Sequence, residues 1–183
     1  MTQQTVALPD DPALAQVLSA LSAEGAQALI VGGAVRNALL GEPISDIDIA
    51  TSARPEDTMR LANQAGLRTV PTGVDHGTVT IIAGGRGYEA TSFRRDVETD
   101  GRHAVVAYSD SIEEDARRRD FTMNALYATA DGRVLDPGGG LSDLAARKLR
   151  FVGDARARIL EDYLRILRFF RFLAWYGREA DMQ

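Results

Sequence analysis

The chain contains no cysteine, which excludes a disulfide, a thiolate nucleophile and any cysteine-held zinc or iron–sulfur centre. Histidine is almost as scarce. The two present, His76 and His103, cannot build a histidine-rich metal site, and a Ser-His-Asp triad would depend on one of them alone. No apolar run approaches the roughly 20 residues that span a bilayer, and residues 1–10 lack the charged start and apolar stretch of a secretion signal. A cytoplasmic location with no membrane partner is therefore expected. Internal repeats and low-complexity linkers are also missing. What remains is a 183-residue chain, 45% hydrophobic and 26% charged, large enough for one full core. Its available chemistry lies in carboxylates and arginines.

The hydrophobic periodicity alternates between helix and strand. Leu14, Val17, Leu18 and Leu21 recur at helical spacing over 12–23, with Asp10 or Asp11 placed to cap the start and Gly25 to end it. Residues 28–31 form a short apolar run that stops at Gly32-Gly33, after which 34–40 is helix-compatible up to Gly41. Residues 44–50 alternate as a strand, Pro55 opens a helix to about 65, and 67–70, 78–83 and 88–93 read as strands. The stretch 94–108 has little periodicity and is expected as a mobile loop or a ragged hairpin. A helix follows at 111–118 with Ser111 and Glu114 as a capping box, then a hairpin of 125–128 and 134–135 through Asp131-Gly132. A last helix is expected over about 161–176, apolar around most of its circumference. The pattern predicts an α+β fold, a mixed sheet flanked by helices.

Four groups of residues could carry chemistry. In Ser45-Asp46-Ile47-Asp48-Ile49, strand alternation puts Asp46 and Asp48 on one face and the isoleucines in the core. Paired carboxylates repel unless a cation intervenes, and hard oxygen ligands beside substrate phosphates suit Mg²⁺. A solvated strand edge would read the same way. Glu89, on a neighbouring strand, is a possible third carboxylate or a surface residue. Gly32-Gly33 before a helix lets backbone N–H groups approach an anion, with Arg36 adding charge. Arg117-Arg118-Arg119-Asp120 with Asn124 joins three cations to groups that can hydrogen-bond a ribose, or is a helix C-terminus followed by a cap. Asp162 and Arg165 stand three apart, with Arg168 and Arg171 continuing the spacing, either as a surface ion pair or as a reader of base edges. The charge is also divided unevenly. Residues 147–178 hold nine Lys or Arg against three acidic residues, a local +6 that leaves −11 elsewhere in a chain of net charge −5.

Taken in order, Leu29-Ile30-Val31-Gly32-Gly33-Ala34-Val35-Arg36, the Asp46/Asp48 pair, His76-Gly77-Thr78-Val79-Thr80, residues 118–124, and Glu161-Asp162 with Arg165 resemble the bacterial-type tRNA nucleotidyltransferases, the CCA-adding enzymes of the polymerase-beta-like superfamily. The resemblance runs from about residue 29 to 172. It implies a catalytic nucleotidyltransferase head over 1–146 and the start of an all-helical neck over 147–183, with body and tail domains absent from this sequence. It also implies CMP and AMP transfer from CTP and ATP to the 3′ end of tRNA, with pyrophosphate released. Asp46 and Asp48 would hold Mg²⁺, with Glu89 a further candidate. Gly32, Gly33 and Arg36 would meet the phosphates, and Arg118, Arg119, Asp120 and Asn124 the ribose and triphosphate. Asp162 and Arg165, with Arg168 and Arg171 nearby, would template the base, and 94–108 would match the loop associated with the change from CTP to ATP. Asn37 stands where the family usually has an aspartate. A bacterial poly(A) polymerase and a non-catalytic nucleotide-binding module are the alternatives.

Overall fold

A computed structural model describes residues 4–100 and 103–180. Helix α1 (Pro12–Leu21) starts where Asp11 accepts the N–H groups of Ala13 and Leu14, and buries Leu14, Val17, Leu18 and Leu21. Strand β1 (Ala28–Val31) is buried at every residue, as a strand covered on both faces must be. It turns through Gly32 into α2 (Gly33–Leu40), which ends on left-handed Gly41. Then come β2 (Asp48–Thr51), α3 (Pro55–Gln64), β3 (Arg68–Gly73), β4 (Thr78–Ala83) and β5 (Arg86–Ser92). The hairpin β6 (Arg94–Asp100) and β7 (His103–Tyr108) leads to α4 (Ile112–Arg117) and a 3-10 turn over Thr122–Asn124. The chain closes with β8 (Tyr127–Ala128), β9 (Val134–Leu135), α5 (Gly140–Ala146), β10 (Lys148–Leu149), α6 (Ala155–Glu161), α7 (Leu164–Tyr176) and β11 (Glu179–Ala180).

The main sheet has the order β3-β4-β5-β2-β1-β8-β9. All its pairings are antiparallel except β2 with β5, which run parallel with Asp48 opposite Glu89. One face packs Ile30, Ile49, Ile81 and Leu126 against α1 and its neighbours, and the other packs Leu29, Val31, Phe93 and Tyr127. The sheet edges are blunted. Pro71 and a register shift between Val70 and Gly73 interrupt β3. Beyond β9, Thr5 bridges Arg133, and Val6 N–H donates to Gly132 O at 2.8 Å.

Three expectations need correction. Pairing in β2 begins at Asp48, not at residue 44, because its partner β1 ends at Val31 and turns away through Gly32. The burial alternation still holds upstream, with Ile47 buried and Asp46 exposed. The helix expected over 161–176 starts later, as α7 at Leu164, while Glu161 ends α6; between them Asp162 has an extended backbone (φ −152°, ψ 105°) and a carboxylate accepting Leu164 N–H at 2.9 Å. Aspartate competes well for such orphan helix donors. The capping box at Ser111 is relayed: Ser111 Oγ accepts Glu114 N–H, and Ser109 Oγ accepts Ser111 N–H while donating to the Glu114 carboxylate. Residues 94–108, left between loop and hairpin by the sequence, form a hairpin with a register shift between Asp96 and Glu98.

Candidate active site

The acidic group is assembled by the parallel β2–β5 pairing. Facing register sets Asp48 beside Glu89, and Asp46, just ahead of the strand, lies on the same exposed side and accepts from Ser45 Oγ at 3.0 Å. With Ser45, Arg86 and Tyr88 these three carboxylates line an open cleft of about 390 Å³. Desolvation pushes the Asp48 carboxyl above its ordinary range, the charges of Glu89 and Asp46 push the same way, and Arg119 pulls it partly back. Negative charge is thus concentrated at the cleft, with Arg86 on its lining and Arg119 acting on Asp48. Among the described residues, no group of three or more His, Cys, Asp or Glu side chains is arranged to hold a metal ion by itself. A hard divalent ion would draw on two carboxylates and on oxygens from its substrate.

Gly32 links the cleft to the cations. Its backbone (φ 69°, ψ −120°) is one that L side chains do not adopt, and a Cβ there would come within 3.8 Å of Arg119 Nη1 and 3.7 Å of Asn124 O. Arg119 is held by Asp115, which accepts from its Nη2 at 3.0 Å, and by Tyr127 Oη, which accepts from its Nε at 3.0 Å. Arg118 donates through Nε to the other oxygen of Asp115 at 2.8 Å.

The remaining residues expected to bind nucleotide form a chain of mutual contacts. Arg36 is buried and donates through Nη1 to Asn124 Oδ1, through Nη2 to Tyr176 Oη at 3.0 Å, and through Nε and Nη2 to Asn37 Oδ1. Asn124 Nδ2 donates to Asp120 Oδ1 at 3.0 Å, and Arg168 Nε to Asp120 Oδ2 at 2.8 Å. The guanidinium of Arg36 lies 4.2 Å from the Tyr176 ring centroid. Gly33 opens α2, with Arg36 Nη2 3.6 Å from where its Cβ would be.

Asp162 and Arg165 do not share a helical face. Arg165 Nη1 instead donates to Glu161 Oε2 at 2.6 Å and to Arg158 O at 2.9 Å, and its Nη2 to Arg118 O. Arg171 lies over the rings of Trp175 and Phe172. Sequence reasoning missed Asp115, Tyr127 and Tyr176. Asp115 left a signal, since it precedes Arg118 and Arg119 by three and four residues on a helix; the tyrosines left none. Asn37, noted as a departure, donates through Nδ2 to Pro43 O at 2.8 Å while accepting from Arg36. An aspartate could not make that donation.

Known proteins resemble this chain in sequence and in fold. A CCA-adding enzyme from Streptococcus pyogenes is 48% identical over 160 residues, which is 86% of this chain and 39% of that protein. The mitochondrial CCA tRNA nucleotidyltransferase 1 of Danio rerio is 47% identical over 152 residues, 82% of this chain and 35% of that protein. The crystal structure of the Bacillus stearothermophilus CCA-adding enzyme in complex with CTP superposes with a TM-score of 0.82 at 40% identity, covering 94% of this chain and 42% of that one. The chain therefore spans well under half the length of these relatives. The family described as the poly A polymerase head domain matches residues 28–150, and to that family the chain belongs.

Proposed function

We propose that this chain carries the catalytic centre of a cytoplasmic tRNA nucleotidyltransferase, adding CMP and AMP from CTP and ATP to the 3′ end of tRNA. The observation that carries the reading is the β2–β5 register, which gathers Asp46, Asp48 and Glu89 at a cleft beside the Gly32 turn and Arg119. Mg²⁺ fits the donor set, because the exposed, mutually repelling carboxylates of Asp46 and Asp48 are hard oxygen ligands whose charge a divalent cation would relieve. When bound there it would supply charge stabilisation for the α-phosphate and the departing pyrophosphate. The 3′ hydroxyl of the RNA attacks the α-phosphorus in line, and the protein's own part is to hold the triphosphate. Arg119 meets its charge beside the Gly32–Gly33 turn, while Asp120 and Asn124 fix the ribose. Glu89 adds to the negative field on Asp48.

The names of the similar proteins favour CCA addition, whereas the family's description keeps poly(A) synthesis as the second reading. A head over 1–146 followed by a neck stays part of the proposal, with Leu149, Phe151 and Val152 packing back into the head's core. Base selection by Asp162 and Arg165 would require the two to leave their present partners. The basic stretch 147–178 suits a polyanion. The test uses the complete gene product with tRNAs ending before CCA, after C and after CC, each with CTP, ATP or both, followed by product sequencing. Completion to CCA is expected; untemplated A-tracts on every substrate would select poly(A) synthesis. Asp46→Ala and Asp48→Ala should each abolish transfer, and near-parental rates in either would overturn the metal assignment.

A further inference from the structure

Asp115 is fully buried, and its carboxylate is the meeting point of four groups. Oδ1 accepts from Arg118 Nε and Nη2 and, at 3.4 Å, from the backbone N–H of Arg94, where β6 begins. Oδ2 accepts from Arg119 Nε and Nη2 and from Tyr127 Oη at 2.7 Å. Tyr127 is also fully buried, and the same hydroxyl accepts from Arg119 Nε, so carboxylate and phenol grip one edge of the guanidinium between them. The third nitrogen, Nη1, takes part in no hydrogen bond among the described residues and lies 3.8 Å from where a Cβ on Gly32 would be.

An ion cluster that only tied elements together would balance its charges. This one sets a single carboxylate against two guanidinium groups, and Arg119 also acts beyond it on the Asp48 carboxylate. Its positive charge is thus available to an arriving anion at a cleft lined by the carboxylates of Asp46, Asp48 and Glu89. We propose that Asp115 and Tyr127 are positioning residues: neither touches substrate, and together they hold Arg119 so that Nη1 faces the triphosphate at the Gly32 turn. A free guanidinium side chain has many rotamers to lose on binding, and fixing it before substrate binds removes that cost from the binding step. The inference rests on the proposed role of Arg119 as a phosphate-binding cation.

Tyr127→Phe tests it, because the substitution keeps the ring and its stacking under Arg119, 5.2 Å away, and removes only the hydroxyl. Equilibrium binding of CTP with Mg²⁺ is measured for the complete gene product as parent, Tyr127→Phe, Arg119→Ala and the double variant, after thermal melts show that each is folded. Tyr127→Phe should weaken CTP binding by about threefold to tenfold, the range for losing one ordinary hydrogen bond. In the Arg119→Ala background the same change should have no further effect. Asp115→Asn, run through the same cycle, should give a larger loss with the same dependence on Arg119. Equal losses in both backgrounds, or a lowered melting temperature with unchanged CTP affinity, would mean a purely structural cluster. If Arg119→Ala binds CTP like the parent, the phosphate role of Arg119 falls instead. If the parent binds no CTP, the nucleotide-site reading falls with it.

Discussion

Asp115 leaves a mark on the pH dependence of stability. Burial alone would raise its carboxyl, but the charges of Arg119 and Arg118 and the Tyr127 hydroxyl outweigh burial and hold it below the ordinary aspartate range. A carboxyl depressed in the folded state contributes stability that is fully present above its unfolded pKa, ~3.9. That contribution is lost as the pH falls through the lower folded value. Asp115→Asn should therefore flatten the acid limb of the stability curve below about pH 4, read as urea midpoint against pH; an unchanged slope would assign the acid sensitivity to other carboxylates. At this scale the placing of Asp46 and Asp48 on one exposed side, with Ile47 buried between them, was legible from strand alternation. Asp162 with Arg165 was misread because an unbroken helix was assumed. Glu161, four residues before Arg165, had the better helical spacing and takes the pair in the structure.

Helix α7 docks on the rest of the chain through one narrow face. Arg168, Phe172 and Tyr176 recur every four residues, so they stack along one side. Phe172 is 6% exposed, against 68% for Leu167 and 66% for Trp175 on the outer faces. The Phe172 ring lies near Phe121, Tyr176 and the guanidinium groups of Arg36, Arg168 and Arg171. Around it the contacts Tyr176–Arg36–Asn124–Asp120–Arg168 close a polar ring that begins and ends on α7. Phe172→Ala should cost about 3–5 kcal/mol, whereas Leu167→Ala should stay within about 0.5 kcal/mol; equal losses in denaturant melts would refute this docking face. Strands β1 and β4 were legible from the sequence to the residue, since their apolar runs end in glycine turns. The start of β2 was not, because a strand ends where its partner leaves, and no local pattern records that. The break at Asp162 was likewise hidden by the unbroken apolar pattern that surrounds it.

Across the molecule, the sheet runs from β3 to β9, and the site lies where its one parallel pairing meets the Gly32 turn. Among the described residues no helix is long and apolar enough to cross a membrane. The overall order of helices and strands was legible, but the strand order was not, because it depends on contacts between residues far apart in sequence. The segment around Thr5 matters beyond its few contacts. Val6 N–H donates to Gly132 O, Val134 N–H donates to Gln4 O, and even a methyl group on Gly132 would fall within 2.3 Å of Val6 O. A vector designer trimming a ragged start would remove this cover and leave the β9 backbone open to strand addition from another molecule. Deleting residues 1–7 should leave the melting transition nearly in place yet shorten storage life, with light scattering at 37 °C rising over hours in proportion to concentration. A trimmed protein that stays clear as long as its parent would show that the short β9 edge needs no cover. The first residues would then be free to carry a purification tag, and if the cover is needed, tags belong at the other end.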